Sequence, residues 1–407
     1  HRDWVKEIAS DLKEKKITSK ILAGGPHTTF FPEFIENEMI DIINVGEGEY
    51  SILELADKID KNEDISKIMN MHVKTDGKVH KNSLRPLVDI NEIPHPDREI
   101  FLEQENYDKK QFYFFYVSKG CPFNCKFCFM HQYKSLYKGD PNCNRLRLKS
   151  PDLCIEEIKG FVDKADVKMI NYIDSTFNLN KEWMLEFLAK YKKEIDIPFN
   201  INLMPNLIDE DIVKALADTG NCSFIRMGVE TGNEEFRKKI LGKNISNEKI
   251  IEVAKLLKKY GVRFLTYNMF GLPDETVEMA YETIELNRKI EADVMIPMIF
   301  HPLPGLDVTN FAIEKGYVKP EDFEIENTNE MYYSNLRHPQ IKELTNICKL
   351  SMLMLKYKKM NGFFKWMARR KPGKFKDLLY KVSYLFQYKK LFQMKLFPLI
   401  KALKMFD

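Results

Sequence analysis

Short apolar runs alternate with amphipathic segments of helical length between residues 112 and 300, and this alternation restricts the folds open to the chain. The apolar runs occupy residues 112–118, 168–173, 199–203, 223–229, 262–270 and 294–300. The amphipathic segments occupy residues 152–162, 181–193, 209–218, 233–260 and 274–288. Strands that alternate with helices form parallel sheets. Six such repeats predict an α/β fold, most of a (β/α)6 TIM-like barrel with its active site at the carboxyl ends of the strands.

A shorter α/β pattern precedes this barrel. Its predicted strands and helices alternate over residues 21–23, 32–39, 42–45 and 49–59. The pattern indicates a parallel, Rossmann-like sheet of which only about half is present. Proline residues and scattered charges then suggest a linker with little core of its own. The resulting domain prediction is a front domain, a linker, a barrel and a helical C-terminal region, over residues 1–60, 61–110, 111–325 and 326–407.

The composition indicates a protein that folds in water. Of 407 residues, 44% are hydrophobic and 30% are charged, which excludes disordered and collagen-like chains. We find no apolar run of about 18 residues and no signal segment, so a cytoplasmic protein is predicted. The seven cysteines are an odd number, and three lie within eight positions. This pattern favours a metal site in a reducing compartment over a disulfide framework.

The clustered cysteines are Cys121, Cys125 and Cys128, which closely follow the first predicted barrel strand. Cysteine thiolates are the usual ligands of iron–sulfur clusters. Three close cysteines without a nearby fourth would leave one iron of a cubane open. A structural zinc site completed by Cys143 or Cys154, or simple buried thiols, are the alternatives. Zinc sites usually show two close cysteine pairs, so a [4Fe–4S] cluster is the prediction.

The spacing C-x3-C-x2-C, with Phe127 before the last cysteine, resembles the signature of the radical S-adenosylmethionine (SAM) superfamily. The resemblance covers roughly residues 110–305. It implies that the three cysteines hold a catalytic [4Fe–4S] cluster that reductively cleaves SAM. It also implies that Phe127 lies beside the adenine of SAM, and that an electron donor such as flavodoxin or ferredoxin is a partner.

Two later strand ends resemble SAM-binding motifs of this superfamily. In residues 172–177, Asp174 or Ser175 is implied to hold the methionyl amino group, although Asp174 could equally cap the following helix. In residues 226–232, the glycine, glutamate, glycine pattern assigns Gly228 to SAM binding and Glu230 to SAM binding and catalysis. A surface glutamate in a turn is the alternative for Glu230.

Two further loops close the predicted barrel. Residues 271–276 are close to the family motif G-L-P-G-E-T, with Asp274 at the second glycine position. If this position has a positive φ, Asp tolerates it less well than Gly, and the loop is expected to differ. His301 follows the sixth predicted strand and is either an acid or base facing the cavity or a packed residue.

The front domain carries two glycine motifs, Gly24-Gly25-Pro26-His27-Thr28 and Gly46-Glu47-Gly48-Glu49. Together they resemble the second half of the cobalamin (B12)-binding domain fused ahead of many radical SAM enzymes. The resemblance implies that Gly24, Gly25, Gly46 and Glu47 bind the cofactor; a plain βα turn is the alternative. The first half of such a domain, with its D-x-H-x-x-G cobalt-ligating loop, is absent from the sequence. Cobalamin is therefore expected for a parent protein, and its binding by these residues alone is left open.

The C-terminal segment is strongly basic. From Lys356 onward there are fifteen Lys or Arg against Asp377 and Asp407, which gives about +13 here and about −10 in the remainder. Its aromatic residues suit an amphipathic helix better than stacked bases. A peripheral contact with the inner face of the membrane is one prediction, and a tail docked on the barrel is the alternative.

The predicted function is cobalamin-linked methylation or rearrangement of an unreactive carbon in a small molecule or lipid. The alternative is a radical SAM enzyme that modifies nucleic acid, by methylation or methylthiolation of tRNA. We find no recognisable RNA-binding module in the sequence, so nucleic acid is the less favoured partner.

Overall fold

The computed structural model describes residues 2–16, 19–102, 112–324 and 333–392. Its strands are β1 (Leu22–Ala23), β2 (Ile42–Asn44), β3 (Met71–Thr75), β4 (Lys78–Lys81), β5 (Phe112–Phe115), β6 (Ser118–Lys119), β7 (Arg147–Leu148), β8 (Met169–Tyr172), β9 (Phe199–Leu203), β10 (Cys222–Glu230), β11 (Phe264–Phe270) and β12 (Val294–Ile299). Its α-helices are α1 (Arg2–Glu14), α2 (Pro26–Phe30), α3 (Glu49–Asp60), α4 (Glu99–Leu102), α5 (Phe129–Leu136), α6 (Pro151–Val162), α7 (Lys181–Glu194), α8 (Glu210–Asp218), α9 (Glu234–Leu241), α10 (Asn247–Lys259), α11 (Val277–Lys289), α12 (Asp307–Glu314), α13 (Ile341–Lys356), α14 (Asn361–Ala368) and α15 (Lys374–Phe392). Short 3-10 helices occupy Pro32–Glu36, Pro205–Leu207, Pro320–Glu324 and Lys358–Met360. Within these ranges, no helix is both long and apolar enough to cross a bilayer.

The chain folds into two compact units. The front unit comprises His1–Pro94 and Phe129–Arg147, and the barrel unit comprises His95–Cys128 and Leu148–Asp407. The helix α5 begins directly after Cys128 but belongs to the front unit. The chain therefore leaves the barrel unit immediately after the cysteine cluster and returns to it at residue 148, a path that the predicted order of domains did not include.

The barrel unit is built on a six-stranded parallel sheet with the order β12-β11-β10-β9-β8-β5. This confirms the predicted partial (β/α)6 barrel, and each predicted strand overlaps an observed one. Helices α6, α7, α8 and α10 cover one face of the sheet, where their apolar side chains form the largest core cluster, with Ile158, Phe187, Leu216 and Leu257 among its members. Because all six strands are parallel, their carboxyl ends meet at one edge, where the predicted site residues lie.

The segment 233–260, predicted as one helix, is two helices. Gly242 adopts a left-handed conformation with φ of 65° and ends α9, the usual role of glycine after a helix. Ser246 then caps α10 by accepting a hydrogen bond from the Lys249 N–H. The break sets the path of Lys243, which enters the candidate site.

The helix α15 covers the open edge of β12. The Met295 N–H donates to Gln387 Oε1 at 3.0 Å, and the Tyr380 hydroxyl donates to the Pro297 carbonyl at 2.9 Å. Leu391 packs with apolar side chains of the sheet. An uncovered edge strand would leave backbone N–H and C=O groups unpaired. The C-terminal region is helical, as predicted, but it packs on the barrel; residues 326–332 and 393–407 of that prediction lie outside the described residues.

A buried ion pair joins the start of α15 to α13. Lys349 is 2% exposed and its ammonium lies 2.5 Å from Asp377 Oδ1. The same ammonium lies 3.6 Å from the centre of the Tyr333 ring, and the Tyr333 hydroxyl donates to Asp377 Oδ2 at 2.8 Å. The pair therefore fixes the helix that covers β12.

The front unit contains a four-stranded sheet with the order β1-β2-β3-β4. The β1–β2 pair is parallel, as predicted, whereas β3 and β4 are added antiparallel. The segment predicted as a linker therefore supplies two strands, and its Met71 and Val73 are buried in the core with Ile42 and Leu55. Burial alternates along Met71 to Val73, as in a strand with one buried face.

A second difference in the front unit concerns residues 32–39, where one helix is predicted. Within this segment the structure has only the 3-10 helix Pro32–Glu36, and the short helix α2 precedes it at Pro26–Phe30. Each begins with a proline, whose fixed φ and missing N–H suit the first helical position and not the interior of a longer helix.

We expect Lys349→Met to lower the free energy of unfolding by about 3 kcal/mol, because it leaves the Asp377 carboxylate without its buried partner. Urea unfolding of the full chain, followed by circular dichroism, measures this change. The matched control is Lys192→Met at an exposed position of α7, for which we expect a change within about 0.5 kcal/mol. Equal stabilities of the two variants would contradict a structural role for the pair.

Candidate active site

The loop that carries the three clustered cysteines is fixed by backbone hydrogen bonds. The Cys128 N–H donates to the Cys125 carbonyl at 3.1 Å, which forms a tight turn. The Lys126 N–H donates to the carbonyl of Leu241, the last residue of α9, at 3.0 Å. The Val308 N–H of α12 donates to the Lys126 carbonyl at 3.1 Å. The ends of two helices therefore hold the loop in place.

The electrostatics of Cys125 show which groups surround it. Burial raises the pKa of its thiol to about 11; nearby Lys243 lowers this pKa, and Cys128, Cys121 and Glu230 raise it. These four side chains therefore lie within electrostatic range of Cys125. Three thiols, with a carboxylate and an ammonium group within electrostatic range of Cys125, provide a donor set that suits an iron–sulfur cluster, once the thiols lose their protons.

The other cysteines of the barrel unit lie in its core or at its margin. Cys154 belongs to the large core cluster and Cys348 to the cluster around α13. Burial raises the pKa of each of these thiols, and that of Cys222 at the start of β10. In the part of the chain that the structure describes, no group of three or more His, Cys, Asp or Glu is arranged to hold a single metal ion.

Glu230 forms a buried ion pair at the end of β10. Its Oε1 lies 2.8 Å from the Lys243 ammonium, which also donates to the Gly228 carbonyl at 2.6 Å. Glu230 and Lys243 are 6% and 7% exposed, so Glu230 is not a surface residue in a turn. A Cβ at Gly228 would lie 2.1 Å from Glu230 Oε1, so a larger residue there would displace the ion pair. Lys243 was not predicted as a site residue, because its charged sequence surroundings resemble a solvated helix face.

Arg237 holds the backbone on both sides of Glu230. Its side chain is fully buried and donates to the carbonyls of Val229 at 3.1 Å and Thr231 at 2.7 Å. It also donates to the Ile245 carbonyl at 2.5 Å, beyond the helix break. Glu230 itself has a φ of 65°, a left-handed conformation that is uncommon outside glycine. Arg237 therefore stabilises the strand end that presents Glu230, a role that no sequence pattern indicated.

Asp174 is buried at the end of β8. Its Oδ1 accepts hydrogen bonds from the Val117 N–H at 3.0 Å and from the Ser118 hydroxyl. Among the described residues, no group forms a hydrogen bond with its buried Oδ2. Burial raises the pKa of Asp174 to about 6. The alternative role as a helix cap is wrong, because α7 is capped by Asn180.

The remaining predicted residues of the barrel unit lie at the same strand ends. Ser175 is exposed beside Asp174, and Phe127 is half-buried in the cysteine loop. His301 is half-buried just after β12.

Asp274 has the positive φ that its glycine-like position implied, with a value of 62°. Its carboxylate accepts a hydrogen bond from the Tyr317 hydroxyl at 2.8 Å and pairs with the Lys315 ammonium at 2.8 Å. These contacts compensate for the less favourable backbone of a residue with a Cβ.

In the front unit, the two glycine motifs meet at the carboxyl ends of β1 and β2. The Gly46 N–H donates to Thr29 Oγ1 at 3.0 Å. Gly25 has a φ of 97°, and a Cβ built there would have no atom within 4 Å. At Gly24 a Cβ would make an ordinary contact of 3.7 Å with Asn44. At Gly25 the backbone is thus open on the side where a Cβ would point.

The Glu47 side chain is engaged within the front unit. Its two oxygens lie 2.6 Å and 3.0 Å from the Arg147 guanidinium, and the Val88 N–H donates to Oε2 at 3.0 Å. The Glu47 N–H donates to the Tyr137 hydroxyl at 3.0 Å. A Cβ at Gly46 would lie 2.1 Å from that hydroxyl oxygen. Gly46 and Glu47 therefore hold the returning segment Phe129–Arg147 in the front unit.

The comparisons with curated proteins identify methyltransferases. The chain is 32% identical over 314 residues to an uncharacterized methyltransferase, PH0819, of Pyrococcus horikoshii. The matched region covers 76% of this chain and 66% of that protein. It is 27% identical over 330 residues to the bacteriochlorophyllide d C-8(2)-methyltransferase of Chlorobaculum tepidum. Here the matched region covers 78% of this chain and 67% of that protein. The chain thus spans about two thirds of the length of these relatives.

The fold is shared with the cobalamin-dependent SAM radical enzyme OxsB, solved with aqua-cobalamin and SAM bound. The TM-score is 0.65 at 16% identity, over 95% of this chain and 61% of that chain. A profile of the radical SAM superfamily matches residues 115–286, which include the cysteine loop and the end of β10. The chain therefore belongs to the radical SAM superfamily, whose enzymes use a [4Fe–4S] cluster and SAM.

Proposed function

We propose that Cys121, Cys125 and Cys128 hold a [4Fe–4S] cluster and that SAM binds beside it at the carboxyl ends of β8 and β10. When bound, the cluster supplies the electron that cleaves a carbon–sulfur bond of the SAM sulfonium. The three thiolates fix the cluster, and the surrounding side chains orient SAM. The cysteine loop itself is kept rigid by α9 and α12.

The observation that carries this proposal is the convergence of the cysteine loop with Glu230 and Lys243. SAM carries an amino group, a carboxylate and ribose hydroxyls. The Glu230 carboxylate can accept hydrogen bonds from the amino group or the hydroxyls, and the Lys243 ammonium can pair with the carboxylate. Gly228 leaves room for this pair, and Phe127 offers an aromatic face to the adenine.

Asp174 provides a further acceptor. A buried carboxylate oxygen without a partner is unfavourable, and an ammonium group would satisfy it. We assign Asp174 Oδ2 to the amino group of SAM, with exposed Ser175 beside it as a second contact. Asp174 also fixes β6, the short strand before the cysteine loop, through Ser118.

Cobalamin is the second cofactor that we propose. The support is the pair of glycine motifs at one sheet edge, the methyltransferase names of the relatives, and the cobalamin bound by OxsB. The open backbone at Gly25, next to Gly24, can approach the cofactor. Because the Glu47 carboxylate is paired with Arg147, we propose that Gly46 and Glu47 support the backbone around this site.

The reaction that we propose is methylation of an unreactive carbon in a small molecule or lipid. One relative is named for methylation of a bacteriochlorophyllide. A lipid or lipid-linked acceptor is favoured because the C-terminal helices expose aromatic and basic side chains. The electron donor would be a small redox protein such as flavodoxin or ferredoxin. The alternative, modification of tRNA, predicts a different acceptor in the same reaction.

We expect anaerobically reconstituted protein to bind about four irons and four sulfides per chain. Cys121→Ala, Cys125→Ala and Cys128→Ala are each expected to abolish this binding, as measured by iron and sulfide analysis and visible absorption. Cys154→Ala and Cys222→Ala are matched controls that keep the cluster. Loss of the cluster in Cys143→Ala would contradict the three-ligand assignment.

We expect Asp174→Asn to change how stability depends on pH. The pKa of Asp174 is raised to about 6 in the folded protein, so the folded state holds its proton more tightly than the unfolded chain does. Its contribution is therefore fully present below about pH 4 and is lost as the pH rises through about 6. Asn does not titrate, so the stability of the variant does not fall in this way. Its stability relative to wild type therefore rises between about pH 4 and 6. Urea unfolding of SAM-free protein at several pH values measures the difference, and parallel pH curves would contradict it.

The reduced, reconstituted chain is expected to convert SAM to 5′-deoxyadenosine, measured by chromatography. With SAM labelled in its methyl group, mass analysis of added lipid, small-molecule and tRNA fractions identifies the acceptor. Label in a lipid or small molecule supports the proposed methylation, and label in tRNA nucleosides supports the alternative. Absence of 5′-deoxyadenosine with an intact cluster would contradict the proposal.

A further inference from the structure

The helix α14 has two apolar faces. Phe364, Met367 and Ala368 are buried in the cluster around α13. On another face, Phe363 and Trp366 are each 51% exposed, and their rings stack with centroids 5.9 Å apart. Residues three apart lie on the same side of a helix. Burial against the barrel explains the first face and leaves the second without a partner in the described part of the chain.

The helix α15 repeats this arrangement. Its inner face contacts β12 through Tyr380 and Gln387. Its outer side exposes an apolar stripe with spacings of three, four and four residues, formed by Phe375, Leu378, Val382 and Phe386. These spacings place the four side chains along one side of a helix.

A groove of about 770 Å³ lies between the end of α13 and α15. Leu353, Leu355, Val382 and Phe386 contribute to its lining. Tyr357 and Lys358, which precede α14, also line it. The groove therefore connects the outer stripe of α15 to the segment that leads into α14. We call the exposed residues of α14 and α15 and this groove the aromatic surface.

The α14 side of the aromatic surface is positively charged, although Glu291 and Asp293 are among the residues that line the groove. Residues 358–371 contain six Lys or Arg and no Asp or Glu. Lys358, Lys359 and Lys371 are exposed. The Arg370 guanidinium lies 4.8 Å from the centre of the Trp366 ring, so a cationic group accompanies the exposed indole. Exposed aromatic rings surrounded by basic residues are the chemistry of a membrane interface, where rings enter the headgroup region and cations meet anionic lipids.

We propose that the aromatic surface docks the protein on an anionic phospholipid bilayer, as a peripheral contact. Phe363 and Trp366 enter the interfacial region, and Lys358 and Lys359 meet the phosphate groups. Association of two copies through this surface would bring two strongly basic regions together, which is unfavourable. Docking rests on these side chains alone and is independent of the radical chemistry.

The position of α15 decides how docking is tested. Removal of the C-terminal region would uncover β12 and remove the Lys349–Asp377 pair. Truncation would therefore disturb the fold as well as remove the docking surface, and vesicle binding by a truncated chain would not separate the two effects. Substitution of exposed side chains avoids this problem. The apolar variant is Phe363→Ser/Trp366→Ser, and its control is Ile52→Ser/Leu53→Ser, two residues of α3 that are 49% and 59% exposed.

The charge variant is Lys358→Gln/Lys359→Gln. Its matched control is Lys192→Gln/Lys193→Gln, an exposed pair at the end of α7. Circular dichroism and thermal unfolding establish that each variant is folded. Wild type and variants, as full chains, are sedimented with vesicles of phosphatidylcholine alone or with phosphatidylglycerol, at low and high salt.

We expect wild type to bind the anionic vesicles, and to do so less as salt rises. The apolar and charge variants are each expected to bind about tenfold or more weakly, whereas both controls bind as wild type does. In a Trp4→Phe background, Trp366 is the exposed tryptophan, since Trp183 is 9% exposed. Its fluorescence is expected to shift to shorter wavelength with anionic vesicles.

Equal binding by wild type and both variants would overturn the proposal, as would absence of binding to anionic vesicles at low salt. A wild-type dimer in light scattering that the apolar variant dissociates would overturn it in favour of self-association. Since these measurements need neither SAM nor a reductant, failure of docking leaves the proposed chemistry untouched.

Discussion

The strained end of β10 is the constraint on which the candidate site depends. Glu230 keeps a left-handed backbone because Arg237 bonds the carbonyl groups on both sides of it. Such a conformation costs about 1–3 kcal/mol and persists only where the surroundings impose it. The result is a carboxylate that pairs with Lys243 within electrostatic range of Cys125. The backbone conformation of Glu230 therefore determines where the candidate site has its carboxylate.

The sequence predicted the strands and the site loops, but it missed the side chains that organise them. Strand periodicity is local, so the six barrel strands follow from apolar runs alone. Arg237 and Lys243 lie in a charged stretch that has the composition of a solvated helix face. Their burial depends on the break at Gly242 and on packing against β10, which are tertiary effects. The charged partner of Glu230 was therefore outside the reach of pattern analysis.

In the front unit, the sequence motifs predicted the loops but not the partner of a charged side chain within them. The glycine motifs correctly marked two loops at one sheet edge, and the positive φ at Gly25 and Gly46 explains their glycines. The motif could not reveal that the Glu47 carboxylate pairs with Arg147, one hundred residues away in sequence. That contact exists because the chain returns to the front unit directly after Cys128. A sequence motif specifies a loop conformation more reliably than the partner of a charged side chain in it.

In the C-terminal helices, one set of residues packs against the sheet and a different set is exposed to solvent. Closing the sheet requires Tyr380, Gln387 and Leu391, which bond or pack along β12 and its neighbours. It does not require Phe363 or Trp366, whose exposure forfeits roughly 25 cal/mol for each Å² of apolar surface left in water. Single exposed apolar residues are ordinary, but an apolar stripe on each of two helices is not. Folding accounts for the inner faces of α14 and α15, so the outer faces call for a partner, and the positive charge of residues 358–371 favours an anionic one.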